Sequence, residues 1–381
     1  MNGNANNALL MQFMKHYLND NSISLPQPLS EEQVRQLLVL SSQHDVAHLV
    51  GVVADKLPLE QQEAFKPFAR EQMKAMFRYE KTQRELDRIC AVLEKSEIPY
   101  IPLKGSVIRR LYPEPWHRTS CDIDILVQLD RLDEAVAALK SQLQYTDKRT
   151  DSHDVSMWSP NGVHLELHFD FDEEHVTKEQ FWENAVATDG SYRRELTNEL
   201  LIVAYVAHVA KHFMLGGCGL RPFLDLWLMQ RKLSYDATAL DLQIREAGLE
   251  AFYTKVNALL ELWFAEGDTD AFLCQMEEYI LPGGVYGNKK NAIAMARTKG
   301  TSKWQYLLRR IFPPRQVLKY QYPALSRYPW LLPWYWLCRA VRHALNGKGR
   351  DIRAEYRINR EFSRDDFQNT DQLLSGLGLK G

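Results

Sequence analysis

Polar and apolar residues change period twice along this chain, and each change marks a shift of predicted secondary structure. Through residues 8–95 apolar positions recur every three to four residues, which predicts helices. Ser30 before Glu31-Glu32-Gln33 reads as a helix start, and Val34, Leu37, Leu38 and Leu40 begin its apolar stripe. Ala47, Val50, Val53 and Leu57 continue the period in a further helix. Residues 70–95 predict a long amphipathic helix with Met73, Phe77, Leu86, Ile89 and Leu93 on its inner side. The polar opening, Met1 to Asn7, reads as frayed.

Near Ser96 the pattern shortens to strand length. Ile98 to Leu103 contains Pro99 and Pro102, which places it at a sheet edge or strand start because proline cannot donate to a ladder. Lys104-Gly105-Ser106 then turns into a helix through Val107, Ile108, Leu111 and Tyr112, ended by Pro113 and Pro115. Asp122 to Val127 predicts the next strand, and a helix follows from about Asp130 with Leu132, Ala135, Val136 and Leu139 inward. Residues 154–158 and 163–169 flank Asn161-Gly162, a strong hairpin signal. From about Phe181 the helical period returns. One helix, Asn198 to Leu215, stops at Gly216-Gly217-Cys218-Gly219, and Leu220 opens another. Pro282-Gly283-Gly284 and Tyr286-Gly287-Asn288 read as a loop or mobile link. The whole predicts an α+β protein: a mixed β-sheet with helices, flanked by N-terminal and C-terminal helical regions. The divisions fall at 1–95, 96–190, 191–280 and 281–381.

The strand alternation also sorts the chemistry. Asp122 and Asp124 point to one face while Ile123, Ile125 and Val127 point to the other, with the two carboxylates' Cα atoms roughly 6.6 Å apart. In the later strand His164, Glu166, His168 and Asp170 share a polar face. Carboxylates on a sheet are costly unless compensated, and Asp side chains so spaced can converge on a pair of Mg²⁺ ions, with Mn²⁺ the alternative. Asp122, Asp124 and Glu166 are therefore the candidate catalytic and metal-ligating residues. Gly105 and Ser106, at a helix start, suit a phosphate. His208, Lys211 and His212 fall on one helix face and could present positive charge to an anionic group, with Arg221 beyond the glycines. The simpler alternative is a polar stripe with an Arg221–Asp225 ion pair. His44 and His48 lie four apart without a third ligand nearby, so they read as core-capping or solvent-facing rather than metal-binding.

Composition adds limits. With 381 residues, 45% hydrophobic and 25% charged, the chain has the make-up of a globular protein. No apolar run reaches the ~18 residues a membrane span needs, and no leader pattern opens the chain, so it reads as cytoplasmic. Five scattered cysteines without a C-x-x-C pair support neither a disulfide framework nor a zinc site. The net charge of −2 hides an asymmetry, because residues 301–360 hold 13 Lys/Arg against 2 Asp/Glu. That segment also carries Trp304, Tyr306, Trp330, Trp334, Tyr335 and Trp336. It suits peripheral contact with an anionic surface or nucleic acid, or a helical cap that complements the acidic remainder.

Taken in order, Leu103-Lys104-Gly105, Arg118-x-x-x-Asp122-Ile123-Asp124-Ile125-Leu126-Val127 and Val163-His164-Leu165-Glu166-Leu167-His168 resemble a bacterial family labelled uncharacterised nucleotidyltransferase, within the polymerase-beta-like superfamily. The likeness extends to His208-x-x-Lys211-His212, Gly219-Leu220-Arg221-x-x-x-Asp225-Leu226 and Leu331-Leu332-Pro333, and weakly to Ala47-His48. The Ser106–Asp122 gap is a few residues longer than the superfamily's usual spacing. The resemblance implies a nucleotidyltransferase-like sheet and transfer of a nucleoside monophosphate from an NTP to an unknown small-molecule, nucleic-acid or protein acceptor, releasing pyrophosphate. It places Asp122, Asp124 and Glu166 on the metal, Gly105 and Ser106 under the triphosphate, and Lys104 and Arg118 on phosphate, with Lys211, His212 and Arg221 as further nucleotide contacts. A phosphotransferase on the same scaffold and a silent nucleotide-binding module are the alternatives.

Overall fold

In a computed structural model, Asp122–Val127 (β2) lies inside a five-stranded sheet of order β1-β2-β5-β4-β3. The other strands are β1 (Tyr100–Pro102), β3 (Thr146–Thr150), β4 (Asp154–Trp158) and β5 (His164–His168). β2 and β5 run parallel, and every other pair is antiparallel. The structure describes residues 2–20, 27–150, 153–170, 175–188, 190–285, 312–316, 324–345 and 364–379, with the single residues 23, 25, 287, 288, 291, 318 and 322.

Helices α1 (Asn2–Leu18), α2 (Glu31–Gln43), α3 (Ala47–Ala54), α4 (Leu59–Gln62) and α5 (Lys66–Lys95) precede the sheet. Contrary to the frayed start expected, the first helix already begins at Asn2, and Asn6 Nδ2 donates to Gln36 Oε1 at 2.8 Å. Ser30 caps α2 through a capping box with Gln33. Within α5 the inner face is Phe68, Ala75, Thr82, Leu86, Ile89 and Leu93, whereas Met73 and Phe77 are 70% and 72% exposed. This corrects the expected stripe in its first half. Ala75, two residues from each, lies on the opposite side of the helix from both, and it is Ala75 that is buried.

Inside the sheet region lie α6 (Gly105–Ile108) and α7 (Leu132–Leu143), and after it α8 (Lys178–Asn184) and a small β6 (Ala185–Ala187)–β7 (Arg194–Leu196) ribbon. Then come α9 (Asn198–Met214), α10 (Arg221–Lys232), α11 (Ala237–Glu246), α12 (Glu250–Phe264) and α13 (Ala271–Ile280). Ile123, Ile125 and Val127 pack with Leu165, Leu167, Ile89, Leu93, Ala135 and Leu139, so α5 and α7 cover one face of the sheet. A larger core joins α1–α3 to α9–α13 and takes in Leu126, Leu373, Leu374 and Leu377. The opposite face of the sheet thus looks toward a helical wall drawn from both ends of the chain.

His44 helps hold that wall. The Leu220 N–H donates to its Nδ1 at 3.2 Å, which leaves Nε2 to donate to the Leu281 carbonyl at 3.0 Å. Gly219 packs against this ring, where a Cβ would lie 3.1 Å from Nδ1. The Pro282–Gly284 stretch, read as a link, turns back so that Val285 N–H donates to the Gln43 carbonyl. His48 is buried too, with Nε2 2.8 Å from the His117 carbonyl, so both histidines cap the core as expected.

Burial pushes His44 down to about 4, and burial followed by the neighbouring His48 pushes His117 down to about 4. Both stay neutral in the fold, while the unfolded chain takes up protons near pH 6.5. Their stabilising contribution is therefore complete above pH 6.5 and is lost as pH falls toward 4. Thermal melts should show Tm falling between pH 6.5 and 4.5, and His117→Gln should reduce that slope. An unchanged slope would remove His117 as its source.

Near the C-terminus, α14 (Ala324–Arg327), α15 (Leu332–Leu345) and α16 (Arg364–Gly376) are described. Much of the basic 301–360 segment, with Trp304 and Tyr306, lies outside the described residues. No helix among the described residues is long and apolar enough to cross a membrane.

Candidate active site

The parallel β2–β5 pairing sets Asp122 opposite His164 and Asp124 opposite Glu166. Because strand side chains alternate, Asp122, Asp124, His164, Glu166 and His168 emerge on one face. Donor atoms of Asp122, His164 and Glu166 lie within 4.8 Å of one another, as do those of Asp124, Glu166 and His168. Glu166 is common to both groups, so the three acids expected from the sequence converge.

Lys104 enters from the β1–α6 turn, placing Nζ 2.8 Å from Asp124 Oδ1. Its backbone adopts φ 45° and ψ −121°, a conformation unfavourable for any residue with a Cβ. His168 Nε2 lies 3.0 Å from the same Asp124 oxygen and 3.5 Å from Glu166 Oε2. Ser120 Oγ donates to Asp122 Oδ1 at 3.1 Å, and His164 Nε2 lies 2.6 Å from Ser156 Oγ.

These contacts separate the carboxyls electrostatically. Burial alone would raise Asp124, but Lys104 and His168 outweigh it and hold that carboxyl far below the usual range. Asp122 is pushed up, by burial first and then by Asp124, with Lys104 opposing. The hydrogen bond with His168 lowers Glu166 against the effect of burial. His168 itself is raised: burial lowers it, and the contacts with Asp124 and Glu166 prevail.

Gly105 follows Lys104 where a Cβ would meet Ser120 Oγ at 3.0 Å and Arg118 Nη1 at 3.1 Å, so the turn can press this close only without a side chain. The expected helix after it is a single turn, Gly105–Ile108, continued by a 3₁₀ turn at Arg109–Leu111. Ser106 N–H is already bonded to the Leu103 carbonyl. Ser106 Oγ is buried without a hydrogen-bond partner, and Ser106 does not line the cavity, whereas Lys104 and Gly105 do. Of the two residues expected under a phosphate, Gly105 thus borders the cavity and Ser106 does not.

In front of the acids lies a cavity of about 530 Å³, within the range of small-molecule sites. Its far wall carries His208, Lys211 and His212 from α9, Arg221 from α10, Asp45 after α2 and Arg78 from α5. His208 and His212 lie 3.1 Å apart through their Nε2 atoms. Arg221 Nη1 donates to Asp45 Oδ2 at 2.8 Å, and Arg78 Nη1 contacts Asp45 at 3.2 Å.

Arg118, expected with Lys104 as a phosphate contact, lines the same cavity and already has an acid partner. It is buried, with Nη2 2.9 Å from the fully buried Asp225 and Nη1 donating to the Thr119 carbonyl. Tyr112 and Tyr205 also donate to Asp225. Arg221 and Asp225 accordingly do not pair with each other, because each has a partner from a distant part of the chain. Asp45, Arg78, Ser120 and Tyr205 were not singled out from the sequence. Arg78 sits mid-helix among many charges, and no local signal distinguishes it.

The family model described as uncharacterised nucleotidyltransferase matches residues 30–265 of this chain. The chain is also similar to the solution structure of the antibiotic-resistance factor ANT(2'')-Ia, at 15% identity and a TM-score of 0.34, over 48% of this chain and 97% of that one. No curated protein matches it.

Proposed function

The chain belongs to the uncharacterised nucleotidyltransferase family, and from that enzyme class we propose that it moves a nucleoside monophosphate from an NTP to an acceptor, releasing pyrophosphate, with Asp122, Asp124 and Glu166 holding divalent cations. The observation that carries this reading is the convergence of those three carboxylates on one sheet face beside the cavity. The donor set fits a cation. Three acids share one lysine and one histidine, and the crowding that pushes Asp122 up is what added positive charge relieves. Carboxylate oxygens suit Mg²⁺ or Mn²⁺. Such an ion, when bound, neutralises triphosphate charge and acidifies an attacking hydroxyl.

The remaining work falls to the chain's own residues. Lys104 and Gly105 border the acids where the nucleotide's phosphates would lie. Lys211, His212 and Arg221, with Arg78, line the opposite wall and would attract the leaving pyrophosphate. Arg118, tied to Asp225, holds the loop that carries Ser120 and so positions Asp122.

NTPs labelled at the α or γ phosphorus test the reading. Incubation with Mg²⁺ or Mn²⁺ and pools of candidate acceptors should transfer the α label to an acceptor and leave the γ label in pyrophosphate. Acceptor labelled from the γ position alone would make the protein a phosphotransferase. NTP-dependent thermal stabilisation with no transfer from either position would leave a silent nucleotide-binding module.

A further inference from the structure

The described residues of the basic C-terminal region line no part of the cavity described above, yet α15 and the turn before it carry an exposed apolar face. Trp330, Trp334, Leu337 and Val341 are 71%, 60%, 57% and 51% exposed. Trp334, Leu337 and Val341 fall on α15 at intervals of three and four residues, within an arc of about 60°, and Trp330 precedes them in the 3₁₀ turn Pro329–Leu331. The other side of this segment is engaged. Trp336 Nε1 donates to the Pro313 carbonyl at 2.8 Å, its ring packs on Phe312, Tyr335 stacks on Tyr322 at 4.3 Å, and Leu325 is fully buried. The turn and helix together are thus anchored by one side and present two indoles and two aliphatic side chains on the other.

We propose that this face docks on an anionic lipid bilayer surface, lying in the interface plane. Charge complementarity selects that occupant, since residues 301–360 hold 13 Lys/Arg against 2 Asp/Glu. Indoles beside aliphatic side chains, within a strongly basic segment, match the chemistry of a headgroup–acyl boundary. A nucleic acid would use the charge and the rings but has no use for Leu337 and Val341. A second copy would bring two segments of net charge +11 together, which repulsion opposes. At 14 residues α15 is about 21 Å long, too short to span the hydrocarbon core, so the contact is peripheral.

The test is co-sedimentation of the whole protein with phosphatidylcholine vesicles, with or without about one third phosphatidylglycerol, chosen to set surface charge. Binding is expected to the anionic vesicles, with a blue-shifted tryptophan emission, and to weaken at high salt. Trp334→Ser with Leu337→Asp should lower vesicle affinity by about tenfold or more. Thermal melting and α-label transfer should be unchanged, because these residues are exposed and remote in sequence from the acids. Three results would overturn the proposal: equal failure on both vesicle types, RNA binding that outcompetes the vesicles and ignores the double substitution, or a dimer that the double substitution dissociates. Since the vesicle measurement needs no turnover, its failure is distinguishable from failure of the proposed reaction.

Discussion

Asp124→Asn is expected to lower the proposed nucleotidyl transfer by about 10³-fold or more, since losing one of the proposed cation ligands would forfeit several kcal/mol at 1.36 kcal/mol per decade. The same change should lower Tm at neutral pH. Asp124 is held low by Lys104 and His168, so its charged form stabilises the fold above its unfolded pKa, and that contribution is lost as pH falls through the folded value. Asp122→Asn should abolish transfer equally but hold or raise Tm, because burial and Asp124 make the Asp122 charge unfavourable in the fold. Paired activity and melting measurements on the two variants check both halves. Full activity in either would detach that residue from the reaction, and identical Tm shifts would contradict the electrostatic asymmetry.

The second large effect is structural. Asp225→Asn should destabilise the protein by about 3–5 kcal/mol, the range for breaking a buried ion pair from one side. For a chain of this size that is roughly 4–6 °C in Tm. Asp225 is fully buried and accepts from Arg118, Tyr112 and Tyr205, so its loss strands a guanidinium and weakens two phenol contacts together. Arg118→Met added to Asp225→Asn should recover part of the loss, as coupled neighbours do. Chemical denaturation of the single and double variants reads this directly, and strict additivity would show that the pair is not the cause.

The acids were legible in the sequence because strand alternation is a local property. Two short segments, 122–127 and 164–168, declare which side chains share a face before any partner is known. The polar Thr146–Thr150 carries no such alternation and becomes a strand only by pairing with β4, across an irregularity at Asp147/Arg149. The adjacency of β2 and β5 was equally hidden, since a helix and two other strands intervene between Val127 and His164. The far wall was half legible. His208, Lys211 and His212 declare themselves by helical spacing, but Asp45 and Arg221 meet across 176 residues and look like ordinary surface charges until folded. Arg118 and Asp225 pair across 107 residues, so the Arg221–Asp225 pair that helical spacing offered does not form.

That far wall has a consequence for how the protein is made. Synthesis delivers Asp122 and Asp124 early, then Glu166, and the α9 and α10 side chains only after residue 221 has emerged. β5 must also insert between β2 and β4, a non-local closure that folds slowly. A nascent or truncated chain ending before α10 therefore carries the complete acid set with Asp45 lacking Arg221 and Arg118 lacking its buried partner. More than half of the chain must therefore be made before the cavity's far wall can close over the acids.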